Sequence, residues 1–340
     1  FFAWAPAEIR DLLGQEAEAF MAAYGVTEGG NFEGQNVLEL VNADERARWA
    51  EARRKLLAAR EKRVRPGRDE KVLTSWNGLM LAAFAEAARV LERDDYRHVA
   101  QRNADFLLRE LQRPDGRLWH TWQAGEARLN GYLEDYTHLI KGLLELYHTT
   151  FDPRWYIAAR ELAEKVIAHF DAPGGGFFDT SDDHEALITR PRELQDNAVP
   201  SGNAVAAWAL LRLAKLAVEP RYAELARQGL GQVQPLMAQY PLGFGQWLVG
   251  LDDALSPGRE VAIVGDAGAD DAQALLKVCA DGYRPHRVVL LGAPGDGDAT
   301  VPLLRYRDQV AGRATAYVCT GSFCHPPLSD AQALRALLEG

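Results

Sequence analysis

Apolar positions recur along much of this chain at intervals of three and four, the spacing that lines one face of a helix. Helices are predicted over 6–24 (Ile9, Leu12, Leu13, Phe20), 43–63, 75–92 (Leu79, Leu81, Phe84, Ala88, Leu91) and 96–111 (Val99, Phe106, Leu107, Leu111). Further helices are predicted over 134–149, 154–170, 201–217 and 220–238, with a shorter one from Gln246 to Leu255. Pro66-Gly67, Pro114-Asp115-Gly116 and Pro173-Gly174 punctuate them. After Pro257 the texture changes to short runs rich in Val and Ile, at 260–264, 287–291 and 314–319. Helical stretches at 269–280 and 329–339 alternate with these runs, which predicts a small, mostly parallel α/β unit. The boundaries drawn are a helical part, 1–256, and an α/β part, 257–340.

The middle helices repeat as pairs. Each pair opens on a polar cluster: Ser75-Trp76-Asn77-Gly78, Glu134-Asp135-Tyr136-Thr137 and Ser201-Gly202-Asn203-Ala204. Each reaches its second helix at Asp95-Tyr96, Arg154-Trp155 and Arg221-Tyr222. Ser75 to Glu134 and Tyr96 to Trp155 are both 59 positions, and Glu134 to Ser201 and Trp155 to Tyr222 are both 67. A repeat that keeps internal register is one supersecondary unit stacked several times. Helical hairpins of this period close into a toroid of inner and outer helices or continue as an open solenoid.

Composition narrows the picture. Of 340 residues, 47% are apolar and 25% charged, so a sizeable core can be buried, and no stretch reaches the length of a membrane span. The net charge of −10 argues against nucleic-acid binding. The basic run around Arg53-Arg54-Lys55 is interleaved with Glu45, Glu51 and Glu61 and reads as a solvated helix. Three cysteines do not suggest a disulfide framework, and a reducing, cytoplasmic setting is expected. Cys319 and Cys324 with His325 lack zinc spacing and a fourth ligand, and buried thiols beside a turn are expected there. Val264-Gly265-Asp266-Ala267-Gly268 lacks the glycine fingerprint of a nucleotide loop, and Asp182-Asp183-His184-Glu185 reads as a solvated loop. No cofactor and no metal site are expected. The apolar start Phe1-Phe2-Ala3-Trp4 suggests a piece of something longer.

Four motifs, in order, carry a family resemblance: Gly30-Asn31-Phe32-Glu33-Gly34, Leu73-Thr74-Ser75-Trp76-Asn77-Gly78, Tyr132-Leu133-Glu134-Asp135-Tyr136 and Pro200-Ser201-Gly202-Asn203. Together with Tyr317-Val318-Cys319 and Phe323-Cys324, they resemble the YyaL-like, spermatogenesis-associated protein 20-like family of thioredoxin-domain-containing proteins. The resemblance implies a mainly α protein: an incomplete (α/α)6 toroid of the six-hairpin-glycosidase type, followed by a small α/β unit. It also implies a thioredoxin-like domain ahead of the toroid, which this sequence lacks along with the first toroid helices.

Hairpins stacked in one sense would start their inner helices at one rim, where N-terminal N–H groups and polar clusters converge. Candidate catalytic residues are Asp135, Glu134, Asp196, Asp179 and His138. Candidate substrate-binding residues are Trp76, Asn77, Tyr136, Ser201, Asn203, Trp119, His120, Trp122 and Asn197. Aromatic platforms beside carboxylates and amides suit a saccharide or polyol. A glycoside hydrolase needs two carboxyl groups, best met by Asp135 with Asp179 or Asp196. An epimerase or isomerase favours histidine for proton transfer at carbon, from His138 or His120. Ser75, Asp135 and Ser201 are equally well placed to cap helices. A non-catalytic scaffold that docks the thioredoxin-like domain or another protein is the alternative.

Overall fold

The computed structural model describes residues 1–185, 188–295 and 300–339, so parts of the α/β stretch expected at 257–340 lie outside the described residues. The chain divides into two compact units, Phe1–Glu70 and Lys71–Gly340. The boundary expected at 256/257 falls inside the second unit, because the strands after it pack onto the helices before it.

In the first unit, α1 (Pro6–Leu13), α2 (Ala17–Ala23) and α3 (Ala50–Arg60) enclose a core of Trp4, Ile9, Phe20, Trp49 and Leu56. The single helix expected over 6–24 breaks at Gly14, whose φ of +55° is left-handed. Only 50–60 of the helix expected over 43–63 is α-helical. In the Gly30–Gly34 motif, Asn31 exchanges hydrogen bonds with the Val37 backbone at 2.8 and 2.9 Å, so its role there is to fix a turn.

The second unit begins with β1 (Val72–Leu73) and three helical hairpins: α4 (Thr74–Val90) with α5 (Asp94–Phe106), α6 (Leu133–Thr150) with α7 (Pro153–His169), and α8 (Gly202–Ala217) with α9 (Pro220–Gln239). A shorter α10 (Gly245–Leu255) packs against α8. The first helices of the pairs pack on one another in sequence, α4 on α6 on α8, while each second helix packs on its own partner. This is the inner and outer layering of an α/α toroid. Three complete hairpins are present among the described residues, so the expected incomplete toroid is what forms.

The inner helices are parallel. Gly78 lies against the His138–Leu139 backbone, Gly142 lies against Gly78 O and Leu81, and Thr149 Oγ1 donates to Ala85 O at 2.8 Å. Gly202 meets the Glu134 backbone in the same way. A Cβ on Gly78 would sit 2.6 Å from the His138 carbonyl carbon, so only glycine permits this approach. The offset of about 60 between facing residues of α4 and α6 is the repeat itself, expressed as packing.

Between α5 and α6 the chain forms a hairpin where the sequence suggested only a loop. It consists of β2 (Trp119–Gln123) and β3 (Glu126–Asn130), with β1 pairing antiparallel to β2. Ala124 and Gly125, at φ +52° and +88°, make the tight turn.

The α/β part comprises β4 (Arg259–Val264), α11 (Asp270–Ala280), β5 (Arg287–Gly292), β6 (Thr315–Thr320), β7 (Phe323–Cys324) and α12 (Ala331–Glu339). Its sheet order is β5-β4-β6-β7, and only β4 and β5 are parallel. The mostly parallel sheet expected from sequence is therefore mixed: β6 runs antiparallel to β4, and no α-helix connects β5 to β6 among the described residues. Cys319 and Cys324 face each other across the β6–β7 turn and form a disulfide, not the free thiols expected. Cys279 is buried and unpaired.

Candidate functional site at the rim of the inner helices

Parallel inner helices place their first turns on one rim, and Asp135 is the hub of that rim. Its carboxylate is fully buried. Oδ2 accepts from Tyr132 N–H at 2.8 Å, closing the first turn of α6 back on its N-cap. Oδ1 accepts from Ser75 N–H of α4 at 2.9 Å. Oδ2 also meets His120 Nδ1 of β2 at 2.8 Å. One carboxylate thus ties two inner helices and the hairpin together.

His120 therefore reaches the rim by strand geometry. The contact with Asp135 raises its basicity above the ordinary imidazole value, against an opposing effect of partial burial. Burial pushes the Asp135 carboxyl upward, while the bonds from His120, Tyr132 and Ser75 pull it back. With Nδ1 directed at Asp135, Nε2 has no protein partner among the described residues. Glu134 is half-buried beside them, with Ser75 Oγ donating to it at 3.4 Å. Burial, then the Asp135 charge, raises its proton affinity. Tyr132 stacks edge-on against His120, with centroids 5.1 Å apart, and the His184 ring lies 5.2 Å from that of Tyr132. Neither Tyr132 nor His184 is among the site candidates of the sequence: Tyr132 is marked only as the first residue of a family motif, two positions before the acidic pair, and His184 reads as part of a solvated loop.

The other candidates divide. Trp76 is 60% exposed at the start of α4 and free to stack. Asp179 is half-buried, raised by burial, and accepts from Glu193 N–H at 2.7 Å; its carbonyl accepts from Leu133 N–H at the α6 start. Trp119 and Trp122 pack against the core, Trp119 beneath the Arg113 guanidinium and Trp122 edge-on to Phe106. Tyr136 is buried, its hydroxyl accepting from Leu118 N–H, and burial pushes it to about 12. His138 is fully buried, donates from Nε2 to Pro200 O at 3.2 Å, and is pushed down to about 4 by burial.

Asn77 donates to Leu73 O and accepts from Asn103, whereas Asn203 clasps the Phe177 backbone through both amide atoms. Asp196 accepts from Ser201 and Gln246 N–H, each at 2.8 Å, at the starts of α8 and α10. The Ser201 hydroxyl donates to Glu193 O, and Asn197 is exposed on the adjoining loop. These polar groups hold the rim together; His120, Glu134, Trp76 and Asp179 remain the more open ones. Ligand atoms of His120, Glu134 and Asp135 lie within 4.8 Å of one another, close enough to share a cation, but both Asp135 oxygens already accept hydrogen bonds.

The fold and rim define a helical-hairpin protein of the α/α-toroid class. No family model matches the chain. Over its whole length the chain is 30% identical to spermatogenesis-associated protein 20 of Homo sapiens, and it is 29% identical to that of Rattus norvegicus over 99% of its length. These relatives bear out the resemblance to the spermatogenesis-associated protein 20-like family. The chain spans about half their length, 49% of each. Among solved structures, cellobiose 2-epimerase of Spirochaeta thermophila matches with a TM-score of 0.40 and 16% identity, over 49% of this chain and 45% of that one. The unsaturated glucuronyl hydrolase of Bacillus sp. GL1 matches at 0.41 and 18%, over 56% and 59%. Scores this low at such identities establish no shared chemistry. No helix among the described residues is long and apolar enough to cross a membrane.

Proposed function

We propose that the rim is an acid–base site for a saccharide or related polyol, and that its reaction is proton transfer at carbon, as in a sugar epimerase or isomerase. The 2.8 Å contact between His120 Nδ1 and the buried Asp135 carboxylate is the observation that carries this reading. A buried carboxylate fixes the imidazole tautomer and directs Nε2 outward as a base. His120 would take a proton from the carbon next to the carbonyl of an open-chain sugar. Glu134, whose proton affinity is raised by burial, would hold a proton near the carbonyl oxygen. Trp76 offers an exposed face for the sugar's apolar side.

Two-carboxylate hydrolysis has less support, because Asp135 and Asp196 spend both oxygens on internal donors. The same economy favours the second reading, a rim built to hold its shape while a thioredoxin-like domain or another protein docks. Thermal-shift screening against free aldoses, ketoses and polyols separates the two. The proposal expects a stabilised wild-type protein and no shift in a folded His120→Gln variant. Silence of the wild type across the panel would leave the docking reading.

A further inference from the structure

A second cleft lies at the opposite end of the inner helices, between their C-terminal halves and the α/β part, with a volume of about 2050 Å³. Its wall includes Glu86 and Arg89 of α4, Lys141 and Glu145 of α6, and Trp208 and Arg212 of α8. Most charges there are already paired. Arg89 holds Glu145 at 3.1 Å, and Arg212 and Lys215 hold Asp253 at 3.6 and 3.3 Å. Lys141 is different. It is half-buried, and no carboxylate lies within 4.0 Å of its Nζ among the described residues. Its polar partner is the neutral amide Oε1 of Gln246, at 3.1 Å. The ammonium sits 5.2 Å from the centroid of the Trp208 ring, itself 5% exposed. The Gln246 Nε2 beside it is buried with no partner.

We propose that Lys141 is a carbonyl-condensing lysine, and that the cleft takes a small aldehyde or ketone which forms a Schiff base with it. A half-buried amine in the cleft wall with no carboxylate within 4.0 Å among the described residues loses solvation of its charge, which the Trp208 face and the Gln246 amide oxygen offset only in part. Burial lowers its proton affinity, and the Arg212 charge acts in the same direction. Glu145, Glu86 and Asp196 oppose without reversing it. The step balances without a redox partner. The nitrogen forms a bond to the carbonyl carbon, the carbon–oxygen bond breaks, and ammonium plus carbonyl gives protonated imine plus water. The proposal uses none of the groups assigned chemistry at the rim, His120, Asp135, Glu134 and Trp76; Gln246, whose N–H caps Asp196, links the two.

Reductive trapping tests it on the intact protein. Glycolaldehyde with sodium cyanoborohydride at pH 7, followed by peptide mass spectrometry, should label Lys141 several-fold faster than the exposed Lys55 and Lys62. The advantage should vanish near pH 11, where surface lysines also lose their protons. Lys141→Arg should remove the fast-labelled peptide while Lys55 and Lys62 label as before. Labelling of Lys141 at or below the surface rate at pH 7 overturns the proposal, as does an advantage that persists unchanged to pH 11. Neither result depends on sugar binding at the rim.

Discussion

His120 ties the proposed chemistry to pH. Asp135 raises its proton affinity in the folded protein. The pair's contribution to stability is therefore full below about pH 6.5 and is lost as pH rises through the raised folded value. Base catalysis has the opposite slope, because Nε2 must be unprotonated. Activity should climb through a value above about 6.5, and His120→Gln should remove the climb along with the activity. A pH–rate profile of both forms reads this directly. His138 behaves in the reverse sense. Folding pushes it down to about 4, so its stabilisation is present above about pH 6.5 and lost as pH falls toward 4, on the order of 3 kcal/mol. Denaturation of His138→Gln between pH 7 and 4 should show a shallower acid loss. Some slope should persist, because burial holds His148 at about 4 as well. The sequence marked Asp135 and His120, but not their contact, because the strand joining them resembled a loop. It also could not show that Tyr136, Asn203 and His138 are consumed by the core and by backbone groups.

At the scale of elements, the repeat was legible because it has a mechanical cause: helices stacked in parallel at fixed register recur at fixed sequence offset. Gly78 and Gly142 set how closely α4 and α6 approach. Gly78→Ala places a methyl carbon 2.6 Å from backbone that cannot move aside, and should cost about 3 kcal/mol in urea denaturation. A loss below about 0.5 kcal/mol would mean the helices sit farther apart than described. The β2–β3 hairpin was missed although Ala124-Gly125 lies between two five-residue strands, because alternation there mixes Trp, His and Arg with no clean apolar face. The break at Gly14 was equally hidden, since apolar spacing continues across it from Leu13 to Phe20.

For the whole molecule, the division near residue 70 follows from cores that do not mix: Trp4, Phe20 and Trp49 in one, and Leu143, Trp155 and Tyr222 in the other. Pro66-Gly67 marks the end of a helix there, but helical periodicity holds on both sides, so the sequence did not distinguish a unit boundary from another turn. Residues 64–71 are exposed and without regular structure, and brief trypsin treatment should cut at Arg68 or Lys71 first, leaving a fragment that begins near Val72 and still unfolds cooperatively. Initial cuts scattered through α4–α9 would contradict the two-unit description.

The central claim is that Asp135 holds His120 as a base for carbon acids at the rim. Proton NMR of free aldoses and ketoses incubated with the protein in deuterium oxide tests it most directly. Deuterium should enter at the carbon beside the carbonyl with the wild type, and not with His120→Gln. Equal exchange in both proteins, or none in the wild type for any sugar tried, would contradict it.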